Sequence, residues 1–155
     1  MPVPRTAHRR AEIRQSLRLA IPPAVTEGRQ IGGVANGLGA WDDWGTRLAL
    51  NALDASIAER GSVPVLWVHD PSKPIGRTTR LAVEGSDLAF DARLTAGVRA
   101  ADEALALIGD GAVAEVSIAF APREWVTLET DEADEVRAAM GLPDWWPIET
   151  ITRAD

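Results

Sequence analysis

The chain has 155 residues, 46% hydrophobic and 25% charged, with a net charge of −7, two histidines and no cysteine. That length suits one domain with a real core, and the composition is that of a soluble globular protein. Without cysteine there are no disulfides, thiolate metal sites or cysteine nucleophile; two histidines argue against a multi-His zinc centre, and no apolar run is long enough to span a bilayer.

Charge is uneven along the chain. Residues 1–30 hold six arginines against Glu12 and Glu27, a net +4, so the remainder carries −11. An acidic body argues against a nucleic-acid-binding domain, because phosphate recognition needs a basic face. The basic arm reads as a solvated terminal helix, with contact to nucleic acid or an acidic partner as the alternative. No apolar segment follows its arginines, which argues against a secretory signal.

Ile13, Leu17 and Ala20 recur at helical spacing, which predicts a short amphipathic helix over 9–20, stopped by Pro22-Pro23. A first strand is expected around 29–38, where the glycines fit no phosphate-loop pattern. Trp41–Gly45 reads as a loop. Thr46 is read as the N-cap of a helix over 47–60, with Leu50, Leu53 and Ile57 as its stripe and Gly61 as its end.

Alternation then predicts a strand over Val63–His69, with Val63, Val65, Trp67 and His69 on one face. A turn follows through Asp70–Pro74, then strands over 78–83 and 88–94 joined by the Glu84–Asp87 hairpin turn. Thr95 is read as the cap of a helix over 96–108 ended by Gly109-Asp110-Gly111. A strand is expected over Val113–Phe120, and another short one over 125–128. The acids of Glu129–Glu135 crowd the first turn of a helix to about Met140. Trp145-Trp146-Pro147 reads as a loop, and a last strand begins at Ile148. Six or seven strands with three helices predict an α+β domain built mainly on antiparallel sheet.

Two residues stand out chemically. Ser117 lies in an apolar strand just after a Gly-Asp-Gly turn and shares its face with Glu115 and the small Ala119. The other five serines are expected in helices or loops. His69 sits where its strand leaves the sheet, a place where scaffolds often present functional groups. A strand serine and a strand-end histidine each have an ordinary structural reading. Together they are the minimum equipment of a serine hydrolase whose base and nucleophile meet in the fold. Imidazole, ordinarily titrating near about 6.5, suits a serine hydroxyl at neutral pH. Asp70 would point to the opposite strand face and is read as stabilising the following turn. Trp41, Trp44, Trp145 and Trp146 read as packing, with a substrate groove or an oligomer contact as the alternatives.

The run VPVLWVHDPSKPIGR (Val63–Arg77), an acidic-Gly hairpin with DLAFDARL, a helix, Gly-Asp-Gly and VSIAF (Val116–Phe120) follow in that order. This set strongly resembles the phage prohead (capsid maturation) serine protease family, over roughly residues 31–122. The resemblance implies a mainly antiparallel β-barrel flanked by helices, as in herpesvirus-type assembly proteases. It implies a serine endopeptidase that trims capsid and scaffold proteins inside the assembling procapsid, in the cytoplasm of a bacterial host. It makes His69 the general base and Ser117 the nucleophile. No cofactor, metal, nucleic-acid or membrane partner is implied; homo-oligomerisation follows by analogy.

On this reading residues 1–30 are a basic arm and 31–155 the protease domain. Two departures stand out. Ala119 replaces a family glycine. Family members usually continue past a segment like ITRAD into another strand with a Leu-x-Glu-Val-Ser-like motif, which resembles the source of the acidic third member. In this chain Glu149 and Asp155 are the candidates for that place; the alternative is a residue beyond Asp155. The alternative reading is a protease fold that serves as a non-catalytic assembly or scaffolding module.

Overall fold

A computed structural model describes residues 13–17, 24–26 and 28–155. His8 and the Pro22-Pro23 stop lie outside these residues. The strands are β1 (Ile13–Leu17), β2 (Ala24–Thr26), β3 (Gln30–Gly37), β4 (Thr46–Leu48), β5 (Pro64–Leu66), β6 (Pro74–Glu84), β7 (Asp87–Leu94), β8 (Val116–Phe120), β9 (Pro122–Leu128) and β10 (Ile148–Ala154). The helices are α1 (Asp54–Arg60), α2 (Arg99–Gly109) and α3 (Asp131–Met140).

The mixed α+β class is as expected, but among the described residues the strands do not close into a barrel. They form three ladders: β2-β3-β7-β6-β5, β4-β10-β9 and β1-β8. All neighbours are antiparallel except β4 and β10. The five-stranded sheet is centred on β7, whose Leu88, Phe90, Ala92 and Leu94 are all buried, the alternation of a strand with one face on the core. Its hairpin with β6 pairs Glu84 with Asp87 across Gly85-Ser86. Gly85, at φ +63, takes the first turn position, where a two-residue hairpin of this hand needs a glycine. The core joins Ile31, Ile75, Phe90 and Leu94 to Ala101, Ala104 and Ile108 of α2 and to Phe120 of β8.

Several expectations are corrected. Residues 13–17 are a strand rather than a helix, pairing residue for residue with β8. Ile13 and Leu17 are four apart, a spacing that fits one face of a strand as well as one face of a helix, and a helix this short is marginal unless packing supports it. Thr46 is a buried strand residue of β4, paired with Glu149 of β10. The helix after it starts only at Asp54, without a side-chain cap, although Gly61 does end it in the left-handed conformation. Likewise α2 starts at Arg99, not next to Thr95, because Gly97 at φ +77 interrupts the chain between them. α3 and its Gly141 end are as expected.

A second, smaller core holds Ala133, Val136 and Ile148, with Trp41 and Trp146 against it. Trp146 packs on Trp44 at 6.1 Å and on Trp145 at 5.7 Å. Its Nε1–H donates to the Trp44 carbonyl at 2.8 Å. The Arg47 guanidinium lies 4.1 Å over the Trp41 ring, an attraction between cation and ring face.

β10 holds this end together. Ile151 is 1% exposed and pairs with Leu48 on one side and Trp125 on the other. Ile151→Ala is expected to cost about 2–5 kcal/mol, read as a lower urea midpoint at unchanged slope. A loss below about 1 kcal/mol would show that β10 is not a structural centre.

Candidate active site

The Val63–His69 strand ends early. β5 stops at Leu66, and residues 67–70 form a tight turn closed by the Asp70 N–H on the Trp67 carbonyl at 3.0 Å. Val68 (φ 54, ψ 37) and His69 (φ 55) both lie in the left-handed region. Two such central residues make a turn normally reserved for Asn and Gly. The face shared by Val63, Val65, Trp67 and His69 in the sequence reading therefore does not extend past Leu66.

The surrounding loop is tightly tied. The Trp67 N–H donates to the Lys73 carbonyl at 3.0 Å, and the Lys73 N–H to the Asp70 carbonyl at 2.9 Å. Asp70 serves this loop, as its sequence position suggested. Its Oδ1 accepts from the Ser72 N–H at 2.9 Å and the Ser72 hydroxyl at 2.6 Å. Its Oδ2 faces Lys73 Nζ at 3.2 Å. The Ser72 hydroxyl and N–H, then Lys73, hold the Asp70 carboxyl below the ordinary aspartate range.

β8 brings the serine. α2 ends at Gly109, Gly111 turns the chain at φ +80, and the Val113 N–H returns to the Leu107 carbonyl at 3.1 Å. Phe120 then anchors β8 in the core, while Ser117 stays half-buried. The consequence is direct contact: His69 Nε2 and Ser117 Oγ are joined by a short hydrogen bond between residues 48 apart in the chain. A basic nitrogen on a serine hydroxyl can take its proton as the oxygen attacks a carbonyl.

Glu149 lies in β10, level with Thr46 and Thr127. Asp155 exchanges both backbone hydrogen bonds with Ala121, and its Oδ2 receives Arg123 Nε–H at 2.6 Å. Among the described residues, no group of three His, Asp or Glu side chains is placed to hold a metal ion. Sequence reasoning missed the 67–70 turn. Neither Val68 nor His69 carries a turn signal, and only the strain of the folded chain reveals it.

A family described as the caudovirus prohead serine protease matches residues 20–141. By structure, the chain is similar to the bacteriophage T4 capsid assembly protease, with a TM-score of 0.58 and 14% identity over 79% of this chain and 85% of that one. At that identity the likeness speaks for the fold. No curated protein matches the chain by sequence.

Two predictions follow from the turn. Val68 is 74% exposed, so replacing it loses little burial. Val68→Asn, which tolerates the left-handed conformation better, is expected to stabilise by on the order of 1 kcal/mol; a lower melting temperature would contradict strain at this position. The depressed Asp70 pKa gives the second. A carboxyl held low in the fold stabilises above its unfolded pKa, and that contribution is lost as pH falls through the folded value. Asp70→Asn should therefore melt below the parent at neutral pH. The gap should close in acid, as followed by melting temperature against pH.

Proposed function

The chain belongs to the caudovirus prohead serine protease family, and we propose that Ser117 is its nucleophile and His69 its general base. The chain is a serine endopeptidase of capsid maturation, acting on capsid and scaffold proteins in the assembling procapsid. The observation that carries the residue assignment is the hydrogen bond between His69 Nε2 and Ser117 Oγ.

In the reaction, Ser117 Oγ attacks the peptide carbonyl while His69 Nε2 accepts the hydroxyl proton. This requires the neutral imidazole with its ring proton on Nδ1. The imidazolium then gives the proton on Nε2 to the departing amine as the C–N bond breaks, leaving an acyl-serine. Water, deprotonated by the same imidazole, releases the acid and restores the hydroxyl. The left-handed turn serves this step by aiming the ring at β8.

The same reading places the work in the host cytoplasm, without membrane or nucleic-acid partners and with a homo-oligomer by analogy. It also places the fold with the herpesvirus-type assembly proteases, although the ladders described here do not close into a barrel. Residues 1–30 are its basic arm and 31–155 its catalytic body.

The test is fluorophosphonate labelling followed by intact mass. One adduct is expected on the parent, and none on Ser117→Ala or His69→Ala. Peptidase activity of both variants should fall on the order of 10⁴–10⁶-fold. An adduct that survives in Ser117→Ala would assign the nucleophile elsewhere.

A further inference from the structure

Among the described residues β9 pairs only with β10 and forms the edge of its ladder. The Glu149 N–H donates to the Gly45 carbonyl at 2.9 Å, and the Ile151 carbonyl accepts from the Ala49 N–H at 2.9 Å. These two residues of β10 therefore spend their backbone groups on the β4 side. Backbone groups alternate between edges with a period of two, so Ile148 and Thr150 serve β9. Their partners there, Leu128 and Val126, face back toward β10. Trp125 and Thr127 are left to turn their N–H and C=O groups outward.

This edge lacks the features that usually blunt one. Natural edge strands are short, carry lysine or proline, or are bent by bulges. β9 runs for seven residues, with proline only at its first position. Its irregular pairing lies at the Pro122 and Glu124 end, so Trp125–Leu128 keep a regular register. Trp125 and Val126 are 43% and 55% exposed, and every residue from Arg123 to Thr127 is exposed. Aromatic and β-branched residues of this kind suit a paired strand. Charges bracket them, with Arg123 and Glu124 before and Glu129 after.

We propose that two copies of this chain associate by antiparallel pairing of β9 with itself, about a two-fold axis at Val126. Charge selects the register. Outward backbone groups must meet outward groups, so the axis has to fall on a residue. An axis at Glu124 sets two carboxylates opposite each other. An axis at Trp125 leaves Arg123 opposite Thr127, without an opposite charge. An axis at Thr127 carries Trp125 past the end of the second copy's β9. At Val126, Trp125 falls opposite Thr127 and Arg123 opposite Glu129, and symmetry makes each pair twice. Opposite charges directly across two strands stabilise the pairing, and like charges oppose it. Arg123 gives its Nε–H to Asp155 at 2.6 Å, and its guanidinium has further N–H groups for the second copy's Glu129. The association joins two three-stranded ladders into one sheet. It stands independently of the roles given to Ser117 and His69.

The test is sedimentation velocity over a concentration series on the parent, Arg123→Glu, Glu129→Arg and the double reversal. The parent should form a dimer. Each single reversal should raise the dimer Kd about tenfold, and the double reversal should return it to within about threefold of the parent. Residues 123 and 129 of one chain lie about 20 Å apart along an extended strand, so that rescue can come only from a second copy. A crosslinking pair reads the register directly, in a chain with no cysteine of its own. Val126→Cys should form a disulfide-linked dimer under mild oxidation, because Val126 meets its own copy in a close pair with Cα atoms about 4.5 Å apart. Glu124→Cys, level with Leu128 of the second copy, should not. A parent that stays monomeric at every concentration would overturn the proposal. A dimer indifferent to both single reversals joins by another face and would overturn it as well. Crosslinking at 124 in place of 126 would do the same, by showing another register. Should a charge reversal fail to fold, the two cysteine variants decide the matter alone.

Discussion

Everything at the site depends on holding a hydrogen bond between two elements that share no ladder. His69 leaves the end of the five-stranded sheet, and Ser117 belongs to β8, which pairs with β1. Backbone pairing cannot align them, so packing must. α2 is the common support. It touches β2, β6, β7 and the 67–69 turn, and Ala101, Ala104 and Ile108 are its buried face. The same helix leads through Gly111 into β8. Small residues on that face bring the helix close to the sheet, which leaves little room for the two ends to drift. Arg29 adds a polar tie, with Nε–H on the Leu94 carbonyl at 3.2 Å and Nη2 on Asp102 at 2.6 Å.

A second constraint is local and costs stability. Val68 and His69 in the left-handed region work against ordinary residue preference. The nested bonds of the loop, from Trp67 to Lys73 and from Ser72 to Asp70, offset that cost. Strain held by surrounding bonds keeps a side chain in one place, here the His69 imidazole against the Ser117 hydroxyl. The wide exposure of Val68 fits a turn that exists to place its neighbour rather than to fill the core.

Legibility in the sequence follows how local each cause is. β3, β7, α3 and β10 have strong internal patterns and lie close to where those patterns place them. Gly61 and Gly141 end their helices because a left-handed cap is a one-residue requirement. β1 and β4 were illegible because their partners lie about a hundred residues away. Tertiary pairing overrides a weak helical period or a good capping residue. The site divides the same way. His69 and Ser117 stood out by residue type and position. The turn that aims one at the other had no sequence signal, because its residues oppose the conformation they adopt.

Position 119 is an alanine where the family resemblance expects a glycine. A glycine is required where φ is positive or where a Cβ would strike backbone. Among the described residues only Arg29, Val68 and His69 combine a side chain with positive φ; Ala119 lies in β8 with extended backbone. Alanine there keeps the strand conformation and reduces the freedom of the unfolded chain, which favours the fold. The substitution narrows the space on the face of Ser117 by one methyl group without disturbing the strand that carries it. Loss of glycine at 119 therefore gives no support to a scaffold-only role.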